Sequence, residues 1–156
     1  MKSQKSFLNN IPTFVNEKLK INDVVCVDLD FEESSNNIVP VQINLDILYE
    51  DDGLLIVNKP SFMPVHPSMD HYEDSLSNGI KYYFNSIYLN RKIRPVNRLD
   101  KNTSGIVIFA KNEYIQEHLI RQMKNNTFKK EYIAIVNGII NKKKQIINAP
   151  ISRLAN

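Results

Sequence analysis

The chain has 156 residues, of which 42% are hydrophobic and 24% charged, as is typical of a folded protein that can bury a core. Its single cysteine, Cys26, excludes an intrachain disulfide and argues against a secreted, disulfide-stabilised scaffold. No stretch approaches the roughly 20 consecutive apolar residues of a membrane-spanning helix, and the N-terminus lacks the apolar core of a signal peptide. These features predict a soluble protein of the cytoplasm.

The net charge of +3 conceals a strong asymmetry along the chain. Residues 1–80 carry 5 Lys and Arg against 13 Asp and Glu, whereas residues 81–156 carry 15 against 4. A basic half of this kind predicts a surface that attracts a polyanion such as RNA. A solvated basic face without a ligand explains the same counts, so charge alone leaves both interpretations open.

The first segment of the chain predicts a small β unit followed by a linker. Residues 13–30 alternate as short strands around turns at Asn16-Glu17 and Asn22-Asp23. The next stretch is polar and acidic and ends at Pro40, which is typical of a linker. We therefore expect a domain boundary near residue 38, with too few residues before it for an independent domain.

The middle of the chain predicts two strands, a stiff extended stretch, a helix and a buried strand. In chain order these are strands at about 43–49 and 54–58 joined by Asp51-Asp52-Gly53, the stretch from Pro60 to Pro67, helix 74–86, and strand 105–111.

The last part of the chain predicts one helix and two strands. Asn112 is a good N-cap, and apolar residues then follow on one helical face until about residue 125. Residues 131–140 and about 145–149 have the alternation of strands. Because strands outnumber helices without strict alternation, the predicted fold class is α+β, with a mixed, largely antiparallel sheet and flanking helices.

One dense polar segment, residues 97–105, directly precedes the predicted buried strand. It contains Arg98, Asp100 and Thr103, and a strand entrance of this kind can expose a carboxylate to a cleft while holding it rigidly. A loop aspartate also commonly caps its own turn, so the residues alone leave this open. Phosphate-binding glycine loops, zinc signatures and the Gly-x-Ser-x-Gly motif do not occur, so no cofactor or metal is predicted.

Three stretches in the same order resemble the RluA-type pseudouridine synthases. RPVNRLDKNTSGIVIFAK (94–111) is similar to the signature of that family, and LYEDDGLLIVNKPSFMPVHPS (48–68) and FKKEYIAIVNG (128–138) are similar to two further family elements. The resemblance extends from about 41 to 152. Residues 13–30 resemble the closing part of an S4-like RNA-binding domain, which implies an S4-like remnant and linker at 1–38 and the N-terminal part of a catalytic domain at 39–156.

The resemblance implies an enzyme that isomerises uridine to pseudouridine in structured RNA, with ribosomal RNA preferred over tRNA. Asp100 would be the nucleophile that attacks the flipped-out nucleotide, without cofactor or metal. Arg98 would fill the vacated space, although a structural ion pair is the alternative. Tyr132 would stack on the uracil, although a half-buried strand tyrosine is the alternative.

Further residues receive supporting roles in substrate or RNA binding by the same resemblance. Lys59 and His66 would lie near the cleft, or only shape a rigid loop. Thr103 and Asn97 belong to the signature, and Asn97 stands where the family most often has His. Lys129 and Lys130 are candidates for phosphate contacts, which are sensitive to salt and blind to sequence.

The resemblance ends part-way through the family's catalytic domain. In that family the domain continues with further strands, which supply a basic partner for the nucleophile. We therefore expect low or absent activity from this polypeptide alone. The alternatives are a non-catalytic RNA-binding fragment and a structural or protein-interaction domain, and only the last would lack salt-dependent RNA binding.

Overall fold

The computed structural model describes residues 6–14, 16–28, 33, 35–141 and 144–152. Within these ranges the elements are β1 (Ser6–Leu8), β2 (Ile11–Pro12), β3 (Val25–Val27), β4 (Asp46–Glu50), β5 (Leu54–Lys59), α1 (Leu76–Ser86), β6 (Gly105–Ala110) and α2 (Glu113–Lys124). The strands pair antiparallel in two sheets of three. The predicted α+β class is confirmed.

The small sheet has the order β2-β1-β3. Asn9 and Asn10 close its hairpin with φ of 51° and 67°, a left-handed conformation that Asn tolerates better than most residues. The predicted strands before Asn22 are wrong in the described residues, because 16–20 form no strand and Leu19 is exposed. The turn at Asn22-Asp23 is stabilised by the Asp23 carboxylate, which accepts from the Lys20 amide at 2.7 Å.

The larger sheet has the order β4-β5-β6, and α1 covers one of its faces. Pairing of β5 with β6 is continuous from Leu54↔Ala110 to Lys59↔Gly105. Alternate residues point to the core, which explains the buried apolar set Leu55, Val57, Val107 and Phe109 that packs with Leu76, Ile80 and Phe84 of α1. The buried strand predicted at 105–111 is β6, whose Val107 and Phe109 are fully buried, whereas Ile106 is 56% exposed on the outer face.

The helix α1 begins with a capping box. Ser75 accepts from the Asn78 amide, and the Asn78 side chain in turn accepts from the Ser75 amide at 3.0 Å. Residue 79, within the helix, is a glycine at a close contact: a Cβ there would approach the Ile43 Cβ at 3.0 Å. The helix therefore lies close against the chain that leads into β4, which a larger residue would push away.

Only Lys111 and Asn112 separate β6 from the helix α2. Its N-cap is Asn112, whose side chain accepts from the Ile115 amide at 2.9 Å, and Glu113 lies in the first turn. The predicted N-cap is thus confirmed, and the end at Lys124 with C-cap Asn125 matches the expected boundary. Neither this helix of 12 residues nor α1 of 11 is long enough to cross a membrane, and the described part of the chain contains no other helix.

The Pro-rich stretch from Pro60 to Pro67 is curled, not extended as predicted. The chain turns at residues 61–62, where Phe62 has a φ of 64°. The reason lies in the buried Lys59 ammonium, which donates to the carbonyl oxygens of Pro60 and Met63 at 2.9 and 2.7 Å. A buried charge needs several acceptors, and here the backbone after Lys59 curls around it to supply them.

The predicted strands 131–140 and 145–149 are wrong for the described residues of this region. Residues 128–141 and 144–152 form no strand, and Ile133 and Ile135 are fully exposed. A strand forms only where a neighbour accepts and donates its backbone hydrogen bonds, and the outer edge of β6 is already occupied. There the Val96 amide donates to the Ile108 carbonyl at 2.8 Å, and the Ala110 amide donates to the Arg94 carbonyl at 2.9 Å.

The predicted linker contacts the larger sheet unit. The Ser35 hydroxyl accepts from the Ile93 amide at 2.9 Å, and Ile38 belongs to the hydrophobic core. Glu33 also forms an ion pair with the buried Arg94. The division of the chain at residue 38 stays a prediction, and the described residues just before it are anchored to the larger sheet unit.

Candidate active site

The polar segment predicted to carry chemistry is attached to the edge of β6 by a side chain. The Asn97 amide nitrogen donates to the Ile106 carbonyl at 2.9 Å, and its amide oxygen accepts from the Ile108 amide at 2.8 Å. The side chain thereby replaces a strand residue in the hydrogen-bond ladder. These two hydrogen bonds fix the position at which the loop after Asn97 leaves the sheet.

The loop continues with one buried residue between two exposed ones. Leu99 is 8% exposed and belongs to the core, whereas Arg98 and Asp100 are exposed on either side of it. Buried Leu99 therefore anchors the middle of the loop, while both charged side chains reach solvent. Within the described part of the chain, the Arg98 guanidinium forms no ion pair.

Asp100 has a carboxylate that is free of the local backbone. The turn is closed by the Thr103 amide, which donates to the Asp100 carbonyl oxygen at 3.1 Å. Among the described residues, no hydrogen-bond donor contacts the carboxylate itself. The turn-capping alternative for this side chain is therefore not what the structure shows.

The Lys59 ammonium connects the segment after β5 to the loop that carries Asp100. Its side chain is fully buried at the end of β5, and besides Pro60 and Met63 it donates to the Lys101 carbonyl oxygen at 3.2 Å. Burial lowers the pKa of Lys59, and the nearby Asp100 carboxylate opposes that shift. The ammonium thus binds the loop at the residue that comes after Asp100.

His66 lies in the neighbourhood of Arg98. Burial lowers the pKa of His66, and the positive charge of Arg98 lowers it further, so a neutral imidazole is favoured near neutral pH. The imidazole lines a cavity of about 370 Å³ with residues of the linker and of the segment just after His66, namely Asn37, Ile38, Pro67, Ser68, Met69 and Tyr72.

A larger cavity of about 840 Å³ lies on the outer face of the sheet. Ile56, Ile106 and Ile108 line it from β5 and β6, and the polar loop and residues 128–133 contribute the rest. Five of the predicted site residues line this cavity, namely Asn97, Thr103, Lys129, Lys130 and Tyr132. The other four, Lys59, His66, Arg98 and Asp100, lie outside its lining.

Tyr132 enters this cavity from backbone that is not a strand. Its side chain is 64% exposed, so the alternative of an ordinary half-buried strand tyrosine does not describe it. An exposed ring beside lysines and an apolar floor can stack on a nucleobase.

Sequence reasoning missed several residues of the cavity. Asn102, Ser104 and Phe128 also line it, and all three belong to the stretches that resemble the family. Their place within those stretches was the signal that could have found them. No group of three or more His, Cys, Asp or Glu side chains that could hold a metal ion occurs in the ranges that the structure describes.

The structure is thus an antiparallel α+β unit with Asp100 exposed on the loop before β6 and with lysines and Tyr132 lining a cavity on the outer face of the sheet. A sequence model described as RNA pseudouridylate synthase matches residues 53–155. The chain belongs to this family, and the resemblance to its RluA-type members is confirmed.

Individual relatives agree with the family match. The chain is 37% identical to the Uncharacterized RNA pseudouridine synthase YhcT of Bacillus subtilis (strain 168), over 98% of this chain and 50% of that protein. It is 39% identical to the Ribosomal large subunit pseudouridine synthase D of Blochmanniella floridana, over 76% of this chain and 37% of that protein. The chain thus spans about half the length or less of these relatives.

A solved structure, Human RNA Pseudouridylate Synthase Domain Containing 4, is also similar to this chain. The TM-score is 0.44 at 20% identity, covering 52% of this chain and 30% of that one.

Proposed function

We propose that this chain carries the nucleophile-bearing part of an RNA pseudouridine synthase, with Asp100 as the nucleophile. The observation that carries the proposal is the Asp100 carboxylate, which is exposed and free of hydrogen-bond donors among the described residues. Its backbone is held by Thr103 and, one residue on, by Lys59. A nucleophile needs this combination of a free reacting atom and a fixed backbone.

The chemistry requires one bond to break and another to form on the same nucleotide. The bond between uracil N1 and ribose C1′ breaks, the base turns, and a bond from C5 to C1′ forms. The proton on C5 is then lost, and N1 gains one. A carboxylate attacking the base or the sugar holds the intermediate covalently between these steps, and an aspartate is ionised for that purpose at neutral pH.

Two further side chains suit the handling of a flipped nucleotide. Arg98 is exposed two residues before Asp100, and its planar cation can stack in the space that the base leaves. Tyr132 lines the cavity on the outer face of the sheet, where its ring can stack on the uracil. His66 and Lys59 are assigned supporting roles, Lys59 through the backbone of the loop.

RNA is proposed to contact the cavity rim as well as the nucleophile. Lys129 and Lys130 line it and carry the charge that phosphates require, and Asn97 and Thr103 also line it. We propose ribosomal RNA as the substrate in preference to tRNA, because residues 13–30 resemble the closing part of an S4-like RNA-binding domain. One relative is itself named as acting on the large ribosomal subunit.

A second candidate function is RNA binding without turnover. It is favoured by the fully exposed Ile133 and Ile135 next to Tyr132, which show that this side of the cavity lacks packing within the described residues. A catalytic tyrosine must be held in place, and an unpacked segment holds it poorly.

The test is covalent capture by RNA that contains 5-fluorouridine, in which fluorine replaces the hydrogen lost from C5. The intact mass of the 156-residue chain is measured after incubation, together with the released nucleosides. Because turnover by this chain is expected to be low, adduct formation is the more sensitive measurement. Asp100→Asn keeps the size of the side chain and removes its nucleophilicity, and Asp70→Asn, another exposed loop aspartate, is the matched control.

An adduct or altered nucleoside that is lost in Asp100→Asn and kept in Asp70→Asn is the expected result. If neither forms with the unaltered chain, or if both survive in Asp100→Asn, then Asp100 is not the nucleophile of this chain. RNA binding that persists in Asp100→Asn without any adduct would then establish the second candidate.

A further inference from the structure

Three side chains outside the proposed chemistry form a hydrogen-bonded row that ends beside Asp100. The Asp74 carboxylate lies 2.7 Å from the His71 Nδ1, and the His71 Nε2 lies 2.8 Å from the Lys101 Nζ. Lys101 is the residue directly after Asp100. The row therefore connects the segment before α1 to the loop that carries the proposed nucleophile.

The chemistry of the three groups determines where the imidazole proton lies. A lysine ammonium can only donate, so the His71 Nε2 must accept from Lys101. The remaining ring proton of a neutral imidazole is then on Nδ1, where it faces the Asp74 carboxylate, which can only accept. Both hydrogen bonds of the row thus join a donor to an acceptor, and a His71 with a proton on Nε2 would lose the contact with Lys101.

Lys101 is consequently held both through its backbone and through its side chain. Its carbonyl oxygen accepts from the buried Lys59 ammonium at 3.2 Å, and its own ammonium donates to His71. The next residue, Asn102, accepts from the Ser61 hydroxyl at 3.2 Å through its carbonyl oxygen. The loop after Asp100 is therefore attached to the segment 59–74 and not only to β6.

The His71 backbone is itself well fixed. Its amide donates to the Ser68 carbonyl at 3.0 Å, and the Ser68 amide donates to the His71 carbonyl at 3.1 Å. His71 is 22% exposed in its side chain, so part of the ring is packed. Because the backbone and the tautomer of His71 are fixed and its ring is partly buried, the imidazole can hold the Lys101 ammonium in one position.

We propose that His71 is a positioning residue for Asp100, acting through Lys101, with Asp74 fixing its tautomer. The expected effect on turnover rests on the proposed function, whereas the attachment of the loop rests on the contacts of His71 and Lys101 alone. Asp74 is 61% exposed, and exposed ion pairs add little to global stability. The effect of His71 is therefore local to the loop, where a displacement of the nucleophile lowers turnover.

Two substitutions of His71 separate its two contacts. In His71→Gln the side-chain amide reaches the position of Nε2 and can still accept from Lys101. In His71→Asn the shorter amide reaches only the position of Nδ1, so the contact with Asp74 is kept and the contact with Lys101 is lost. Lys101→Met removes the ammonium and keeps the stem, and His118→Asn, an exposed histidine of α2, is the matched control.

The first measurement is hydrogen exchange at the Thr103 amide, which reports closure of the loop without requiring activity. We expect exchange to be about tenfold faster in His71→Asn and Lys101→Met, close to unaltered in His71→Gln, and unchanged at β5 and β6 amides in all of them. Ring ¹⁵N shifts of His71 should show protonated Nδ1 and unprotonated Nε2. Equal exchange in His71→Asn and His71→Gln, or a proton on Nε2, would overturn the inference.

The second measurement is the rate of the 5-fluorouridine reaction at saturating and limiting RNA. The expected result is a rate at saturation that is about tenfold lower in His71→Asn, with KM unchanged and recovery in His71→Gln. Loss of the reaction in Asp100→Asn with no difference between the two His71 variants would overturn the positioning role while keeping the proposed function. No reaction in the unaltered chain would overturn the proposed function for this chain, and the exchange data would still decide the structural part.

Discussion

Residues 53–111 and residues 128–152 are both rich in apolar and β-branched side chains, yet among the residues that the structure describes only the first region forms strands and a covered core. In the first, β5 and β6 pair along their full length, and the side chains of Lys59 and Asn97 complete the backbone hydrogen bonding. In the second, Ile133, Ile135 and Ile151 are fully exposed. Strand propensity alone therefore does not produce a strand, because each strand needs a neighbour that shares its hydrogen bonds.

The largest expected difference between the two regions concerns burial of apolar side chains. Phe109 is fully buried and Ile135 is fully exposed. Phe109→Ala should lower the free energy of unfolding by about 3–5 kcal/mol, and Ile135→Ala should change it by less than about 0.5 kcal/mol. Urea unfolding followed by circular dichroism measures both. A comparable loss in Ile135→Ala would show that residues 128–152 pack in solution.

The next effect concerns the buried ammonium beneath the loop. Lys59→Met keeps the length of the side chain but leaves three carbonyl oxygens without their donor. We expect a loss of about 2–3 kcal/mol in the free energy of unfolding, together with faster exchange of the Thr103 amide. The exposed Lys144→Met is the control from the second region and should be neutral. A neutral Lys59→Met would mean that the loop is held mainly by its other contacts.

A smaller effect is expected from the side chain that replaces a strand residue at the edge of β6. Asn97→Ala removes two hydrogen bonds, which should lower the free energy of unfolding by about 1–2 kcal/mol. Asn137→Ala, at an exposed position of the second region, should have no measurable effect. Hydrogen exchange at the Ile108 amide is the local readout. An unchanged Ile108 amide would show that another group satisfies it.

The smallest effect concerns the turn between β4 and β5. The Tyr49 hydroxyl and the amides of Gly53 and Leu54 donate to the Asp51 carboxylate and hold its pKa below the usual value. A lowered folded pKa means that the contribution to stability is complete above the unfolded pKa of about 3.9 and is lost as the pH falls through the folded value. Asp51→Asn should thus lower Tm at pH 7, and the difference should vanish in acid.

The control for this turn is Asp52→Asn, the exposed neighbour within the same turn. It should leave Tm within a degree or so of the unaltered chain at either pH, since a surface substitution away from a specific contact changes stability little. A pH-independent difference in Asp51→Asn would show that the hydrogen bonds, and not the charge, stabilise the turn.

The local elements that the sequence predicted correctly have signals that act over a few residues. The N-cap at Asn112, the turn at Asp51-Asp52-Gly53 and the paired strands around it depend on neighbours in the chain, so pattern and capping rules suffice. The strand predicted at 131–140 depends on a distant partner, and no local pattern shows whether that partner is in place. The extended stretch predicted after Lys59 failed for the same reason, because the curl there is caused by a buried ammonium.

The candidate site divides in the same way. The polar segment 97–105 and its resemblance to a family identified Asp100, Arg98 and Tyr132 as candidates, since residue types and their order are written in the chain. The role of Asn97 as a substitute strand residue and the row from Asp74 through His71 to Lys101 could not be inferred, because each joins side chains that are distant in sequence.

The sequence by itself determined the α+β class, the family and the residue types available for chemistry, because periodicity, capping and motif order are local properties of the chain. Only the tertiary structure decided which carboxylate is free, which lysine is buried and which histidine faces the loop. Those properties depend on burial and hydrogen-bond partners that folding brings together from distant parts of the chain.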